Sequence, residues 1–206
     1  ASLERALALR ERRGEDPAPT LTALGNLSRI EGRFDDSLAL HRRALALDRA
    51  RFASPAHPEL ARHLHNIAGV LRRLGRADEA RAHYEQALAL EESALGPDAP
   101  EAGLTHNSLG LVELDAGRLE RASAQFATAQ RILDARAHPD RALARTNAAV
   151  LALRQGDPAQ SLSLAQSARA LEEASFGPAH ERVARPVKVQ AQALAALGRT
   201  SEARAL

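Results

Sequence analysis

The sequence predicts an all-α chain of repeated helix hairpins, on three observations. A glycine followed by polar residues and then a small residue recurs five times, at Gly32, Gly75, Gly117, Gly156 and Gly198. These glycines stand 43, 42, 39 and 42 residues apart, and a fixed period of that size marks a repeat array. Between them the apolar residues follow helical spacing, as in Ala80, Tyr84, Ala87 and Leu88, without the period-two alternation of strands.

Each turn glycine stands where a helix ends, because glycine accepts the left-handed backbone that closes a helix. The next helix starts at once: Asp157-Pro158 pairs a capping aspartate with proline at the first helical position. Asp35, Asp36, Asp78, Glu79, Glu120 and Glu202 fall in first turns, where acidic groups suit the helix dipole. The opposite boundary is punctuated by Ala18-Pro19, His57-Pro58, Gly96-Pro97, Ala99-Pro100, His138-Pro139 and Gly177-Pro178.

The elements then run in order. A first helix covers 1–13, followed by the pairs 19–31 with 35–52, 58–74 with 77–94, 100–116 with 119–136, and 139–155 with 158–175. A helix over 180–197 and the beginning of another at 200 complete the chain. The expected organisation is a single solenoid over 1–206: a partial repeat 1–17, repeats at about 18–56, 57–98, 99–137 and 138–178, and a partial repeat 179–206. Solenoid ends need polar caps, and neither end shows one. With no methionine and a start at Ala1, the chain reads as an excerpt of a longer protein.

Composition narrows the function. Apolar residues make up 45% but aromatics only 2%, so the core is built from small side chains, and its abundant alanine favours helix. The net charge is +2, and all 28 basic residues but Lys188 are arginine. Without stacking aromatics this is not the footprint of a nucleic-acid binder. Cysteine is absent, which removes disulfides, thiol nucleophiles and cysteine-metal sites. No run of 18 apolar residues could span a membrane and no signal peptide is visible, so a cytoplasmic location is expected.

Catalytic chemistry finds no support. His63 and His65 are two apart on a helix and point to different sides, unlike the i, i+4 pairs of zinc helices. His57 and His138 are expected to cap helices. Glu91-Glu92 and Glu172-Glu173, at equivalent points of two repeats, read as solvated helix surface. Phosphate loops and nucleophile elbows are missing. The chain is therefore expected to be no enzyme and to hold neither cofactor nor metal.

The pattern resembles the tetratricopeptide repeat. Leu24-Gly25 and Leu109-Gly110 match its Leu-Gly pair, with Ile67-Ala68 and Ala148-Ala149 as conservative versions. Ser37, Ala80, Ala122, Ser161 and Ala203, then Ala44, Ala87, Ala129 and Ala168, match its small packing positions. The period exceeds the usual ~34 residues. The stretch His57-Pro58-Glu59-Leu60-Ala61, then Leu64-His65-Asn66-Ile67-Ala68 and Gly75-Arg76-Ala77-Asp78-Glu79-Ala80, is similar to the kinesin-light-chain subtype, which is also common in bacterial signalling proteins. The resemblance weakens in the last repeat, where Gln190 replaces a leucine.

That resemblance implies a right-handed α-α superhelical solenoid whose concave face is lined by the first helix of each pair. Counting back from each turn glycine gives the expected groove: Thr22, Asn26 and Arg29; Arg62, His65, Gly69, Arg72 and Arg73; Leu104, Asn107, Leu111, Leu114 and Asp115; Leu143, Thr146, Val150, Leu153 and Arg154; Arg185, Lys188 and Gln192. The early part is basic and the middle apolar, which suits a protein or peptide with an acidic segment beside an apolar anchor. A one-residue error in register would turn these leucines into core. Chaperone-tail binding is not expected: Asn26 and Asn66 match the asparagines of such grooves, but Thr22, Leu104 and Ser108 stand where the basic partners should be. Two alternatives to a binding scaffold are a regulatory domain that binds other domains of its own chain, attached to a kinase, protease or NTPase, and a self-assembly module.

Overall fold

The computed structural model describes residues 2–54 and 57–206. Ala1, at the head of the expected first helix, and Pro55 and Ala56, at the end of the first expected full repeat, lie outside the described residues.

Eleven helices follow one another among the described residues, in two compact units, 1–97 and 98–206. The first unit holds α1 (Ser2–Arg13), α2 (Ala18–Ile30), α3 (Phe34–Arg51), α4 (Pro58–Arg73) and α5 (Ala77–Leu95). The second holds α6 (Pro100–Asp115), α7 (Leu119–Ala135), α8 (Arg141–Arg154), α9 (Pro158–Phe176), α10 (Glu181–Ala196) and α11 (Thr200–Arg204). In both units the strongest packing is between the two helices of a hairpin, α2 with α3, α4 with α5, α6 with α7 and α8 with α9. The all-α expectation holds, and the helix boundaries fall within about two residues of those read from the sequence.

The turns explain why. Gly32, Gly75, Gly117, Gly156 and Gly198 all have φ between 73° and 78°, and in each turn the next residue donates its amide to a carbonyl five back, as Arg33 does to Ser28. Asp157 accepts the Gln160 amide at 2.8 Å, with Pro158 opening α9. His57 Nδ1 accepts the Glu59 amide at 3.2 Å and caps α4 as expected. His138 Nδ1 accepts the Asp140 amide at 3.1 Å but serves a turn ahead of α8, whose N-cap is Asp140, so the expected helix cap does not form there. The helix after Pro139 starts later than expected, at Arg141, because Pro139 and Asp140 form a turn. There the linker is short and Ala137 takes φ 47°, where the longer linkers place Gly96 and Gly177 at positive φ.

In three of the hairpins a small residue of the first helix meets a residue lying sixteen further on. Gly25 faces His41, and a Cβ there would stand 2.8 Å from the ring. Gly110 faces Phe126, with a Cβ only 2.5 Å from it. In the fourth hairpin Ala149 and Ala165 share a core cluster. Ser37 closes the first hairpin by donating to the Gly25 carbonyl at 2.7 Å. Two acidic residues depart from the sequence reading: Glu91 and Glu172 are 8% and 4% exposed, not solvated, whereas Glu92 lies outside. The reason is visible at Glu172, which turns into the seam with the next hairpin and accepts from Arg182 at 3.0 Å.

Candidate functional site

In the second unit the first helices touch each other. α6 meets α8 and α8 meets α10, while α7 and α9 make no comparable contact. The unit therefore curves toward α6, α8 and α10, which places the first helices on its inner side.

Along that side runs a polar row. Asn147 is fully buried in α8 and donates to Asn107 Oδ1 of α6 at 2.8 Å. Its own Oδ1 accepts from Arg185 of α10 at 2.6 Å. One helical turn further on, where residues share a face, stand Leu111, Val150 and Lys188. Leu111 and Val150 are half-buried against one core cluster, and Lys188 is exposed. At the row and one turn before it, Leu143, Thr146, Arg185 and Pro186 help to line a pocket of about 200 Å³. Arg182 anchors its wall, bridging Glu172 and Asp140, to the latter at 2.8 Å. Those two carboxylates raise the Arg182 pKa, Glu172 the more, and so fix its charge.

The expected groove residues of this unit differ in burial. Asn107 is nearly buried, engaged by Asn147. Leu114 is 5% exposed and packs with Ala122, Phe126 and Leu151, and Thr146 is buried, donating to the Ala142 carbonyl; both are core. Leu104 and Leu153 are half-buried against core clusters. Arg154, Lys188, Asp115 and Gln192 are exposed. Asn147, the centre of the row, is absent from the groove that the turn glycines mark out. Its spacing from Asn107, close to one period, is the signal that could have found it.

In the first unit the expected basic residues are largely engaged. Arg62 pairs with Glu59 on its own helix. Arg73 lies 5.6 Å from the centre of the Phe34 ring, and Arg72 is half-buried. Arg29 is exposed; it and Arg62 lie near enough to His41 to disfavour its protonation. Asn26 and Gly69 are half-buried and Thr22 is buried. His65 stands edge-on to Tyr84 at 4.9 Å, and burial pushes its pKa down to about 4.

His63 and His65 do point to different sides. His63 is fully buried and meets Asp48 of α3 at 2.8 Å. Donor atoms of Asp48, Glu59 and His63 all lie within 4.8 Å of one another. Arg51 stands on Asp48 at 2.9 Å and Arg62 on Glu59, so both carboxylates already face a guanidinium, and a divalent cation would have to displace both. The His63–Asp48 hydrogen bond ties α3 to α4, with each carboxylate held by an arginine of its own helix. No helix among the described residues is long and apolar enough to cross a membrane.

These are the features of a helical-repeat protein, with the first helices of the second unit in contact along one side. Two family models described as tetratricopeptide repeat match residues 20–52 and 59–135, together just over half the chain. The chain belongs to the tetratricopeptide repeat family. No curated protein matches its sequence significantly. Among solved structures, BtubC (BKLC) from P. vanneervenii is similar with a TM-score of 0.79 at 20% identity, over 100% of this chain and 88% of that one. A putative kinesin light chain of Podosopora anserina with nearly identical TPR-like repeats gives 0.74 at 19% identity, over 92% of both chains. The Rap conjugation gene regulator of plasmid pLS20, solved in complex with the Phr* peptide, gives 0.76 at 14% identity, over 90% of this chain and 50% of that one. At these identities the likeness is one of fold.

Proposed function

We propose that the chain is a non-catalytic protein-interaction scaffold, and that the inner surface of α6, α8 and α10 holds a peptide segment of its partner. The observation that carries this reading is the row Asn107–Asn147–Arg185 with Leu111, Val150 and Lys188 one turn away. The half-buried Leu111 and Val150 offer a floor for an extended peptide's side chains, and the exposed Arg185 and Lys188 offer donors for its carboxylates, while the Asn107–Asn147 bond ties α6 to α8. The family and the peptide-bound Rap regulator of similar fold support it.

The chemistry of the surface supports one kind of partner. Leu143 and Pro186, in the 200 Å³ pocket, suit one apolar side chain. Arg185, Lys188 and Arg154 stand along that strip with Asp115 at its α6 end, and the Asp140 and Glu172 carboxylates of the pocket are paired with Arg182. The excess of cations favours an acidic residue next to the apolar anchor.

The test is selection from a random peptide library on the intact chain, followed by affinity measurement with Arg185→Glu and Lys188→Glu variants. Selected peptides should pair an apolar with an acidic residue. Each charge reversal should weaken binding about tenfold. Undiminished affinity in both variants would contradict the proposal.

A further inference from the structure

A second cleft lies in the first unit. It opens between the C-terminal end of α3, the start of α4 and the middle of α5, with a volume of about 600 Å³. That lies within the range of small-molecule sites, roughly 300–1,000 Å³. Leu60 and Leu64 of α4, both nearly fully buried, form its floor. Phe52 and Leu90 also line it. The Phe52 ring is held in place, stacked on His57 at 3.5 Å and carrying the Arg51 guanidinium at 4.5 Å.

Two polar side chains stand at this cleft, Arg49 and Gln86, and both are exposed. Neither makes a hydrogen bond or ion pair with any described residue. Arg51 is the instructive contrast: two residues away, it is committed to Asp16 at 2.5 Å and Asp48 at 2.9 Å. One uncommitted guanidinium beside an uncommitted amide, above an apolar floor, matches a ligand with one carboxylate on an apolar body. Volume and lining together decide against a peptide. A main chain lowered into this cleft would bury amides against Phe52, Leu60, Leu64 and Leu90, whose side chains offer no partner, and each unpaired amide is costly. An alkyl or aryl body carries no such group.

The geometry points to this cleft as a binding site for a small amphipathic carboxylate. The carboxylate meets Arg49 and Gln86, and the apolar body lies on Leu60 and Leu64. This site is independent of the inner surface of the second unit, and either can fail without the other.

The test is titration of the intact chain with decanoate, below its micelle concentration, followed by amide chemical shifts. Decanol, decylamine and a short peptide ending in leucine serve as comparison probes. Decanoate should bind saturably, with shifts centred on Phe52, Leu64, Gln86 and Leu90. Arg49→Gln should weaken decanoate about fivefold, the worth of one exposed ion pair, without changing any binding of decanol. Ala89→Phe, an exposed position at the cleft, should abolish binding while the circular dichroism melt is retained. Non-saturable binding, equal binding of decanol or decylamine, preference for the peptide, or an unaffected Arg49→Gln variant would overturn the proposal.

Discussion

A histidine fills the slot against Gly25 that a phenylalanine fills against Gly110. Phe126 is content there. His41 is fully buried with neither ring nitrogen hydrogen-bonded, and its pKa falls to about 4, from burial first and then from the charges of His63, Arg29 and Arg62. The folded state therefore keeps His41 neutral in a range where the unfolded chain takes up a proton. Stability is full above the unfolded value of 6.5 and is lost as pH falls toward 4, by about 3 kcal/mol at the lower end. Urea unfolding of wild type and His41→Phe, from neutral pH to about pH 4.5, should show a shallower loss in the variant. Equal losses would mean that His41 is not the group responsible. Size is the other constraint at this contact. Gly110→Ala should cost about 1–3 kcal/mol, because its Cβ would meet the Phe126 ring at 2.5 Å. Gly69→Ala, whose Cβ would meet only the Tyr84 hydroxyl at 3.4 Å, should be neutral or gain up to ~1 kcal/mol of helix propensity. Thermal melts of the two variants check the contrast.

At the scale of elements, helix ends are legible in the sequence and seams are not. A turn glycine, a capping aspartate and Pro158 act within a few residues, so Gly156-Asp157-Pro158 announces the start of α9 in the sequence itself. The seams depend on which face each helix turns to the next hairpin. Glu172 looks solvated in a run of polar residues, yet it is 4% exposed beneath Arg182. Leu114 illustrates the same limit: its spacing from the turn glycine puts it in the expected groove, yet it packs on Phe126 and Leu151. Arg182→Ala leaves Glu172 buried without its cation and should cost about 2–4 kcal/mol, read by chemical denaturation. Ala137→Gly should gain about 1 kcal/mol, since φ 47° is strained for any residue with a Cβ; an unchanged melting temperature would count against strain at that turn.

For the molecule as a whole, the repeat period makes the fold class readable from the residues alone, and it locates the first helices as the surface of interest. It does not resolve which side chains remain available there. The inner surface of the second unit carries amides already bonded to each other, with Asn147 between Asn107 and Arg185. Its apolar strip is half-buried rather than exposed, and its charge comes from the exposed Arg154, Arg185 and Lys188. Under the proposed function these side chains supply the recognition chemistry, although the net charge is only +2. Because three cations stand along the strip, binding of an acidic–apolar peptide should weaken as ionic strength rises.

The central claim is that a peptide lies against α6, α8 and α10. Site-specific photocrosslinking tests it most directly, with a photoreactive residue placed at Lys188 on the inner surface or at Arg121 on α7, both exposed. The selected peptide should crosslink from position 188 and be spared from position 121. Crosslinking from position 121 with none from position 188 would contradict the account.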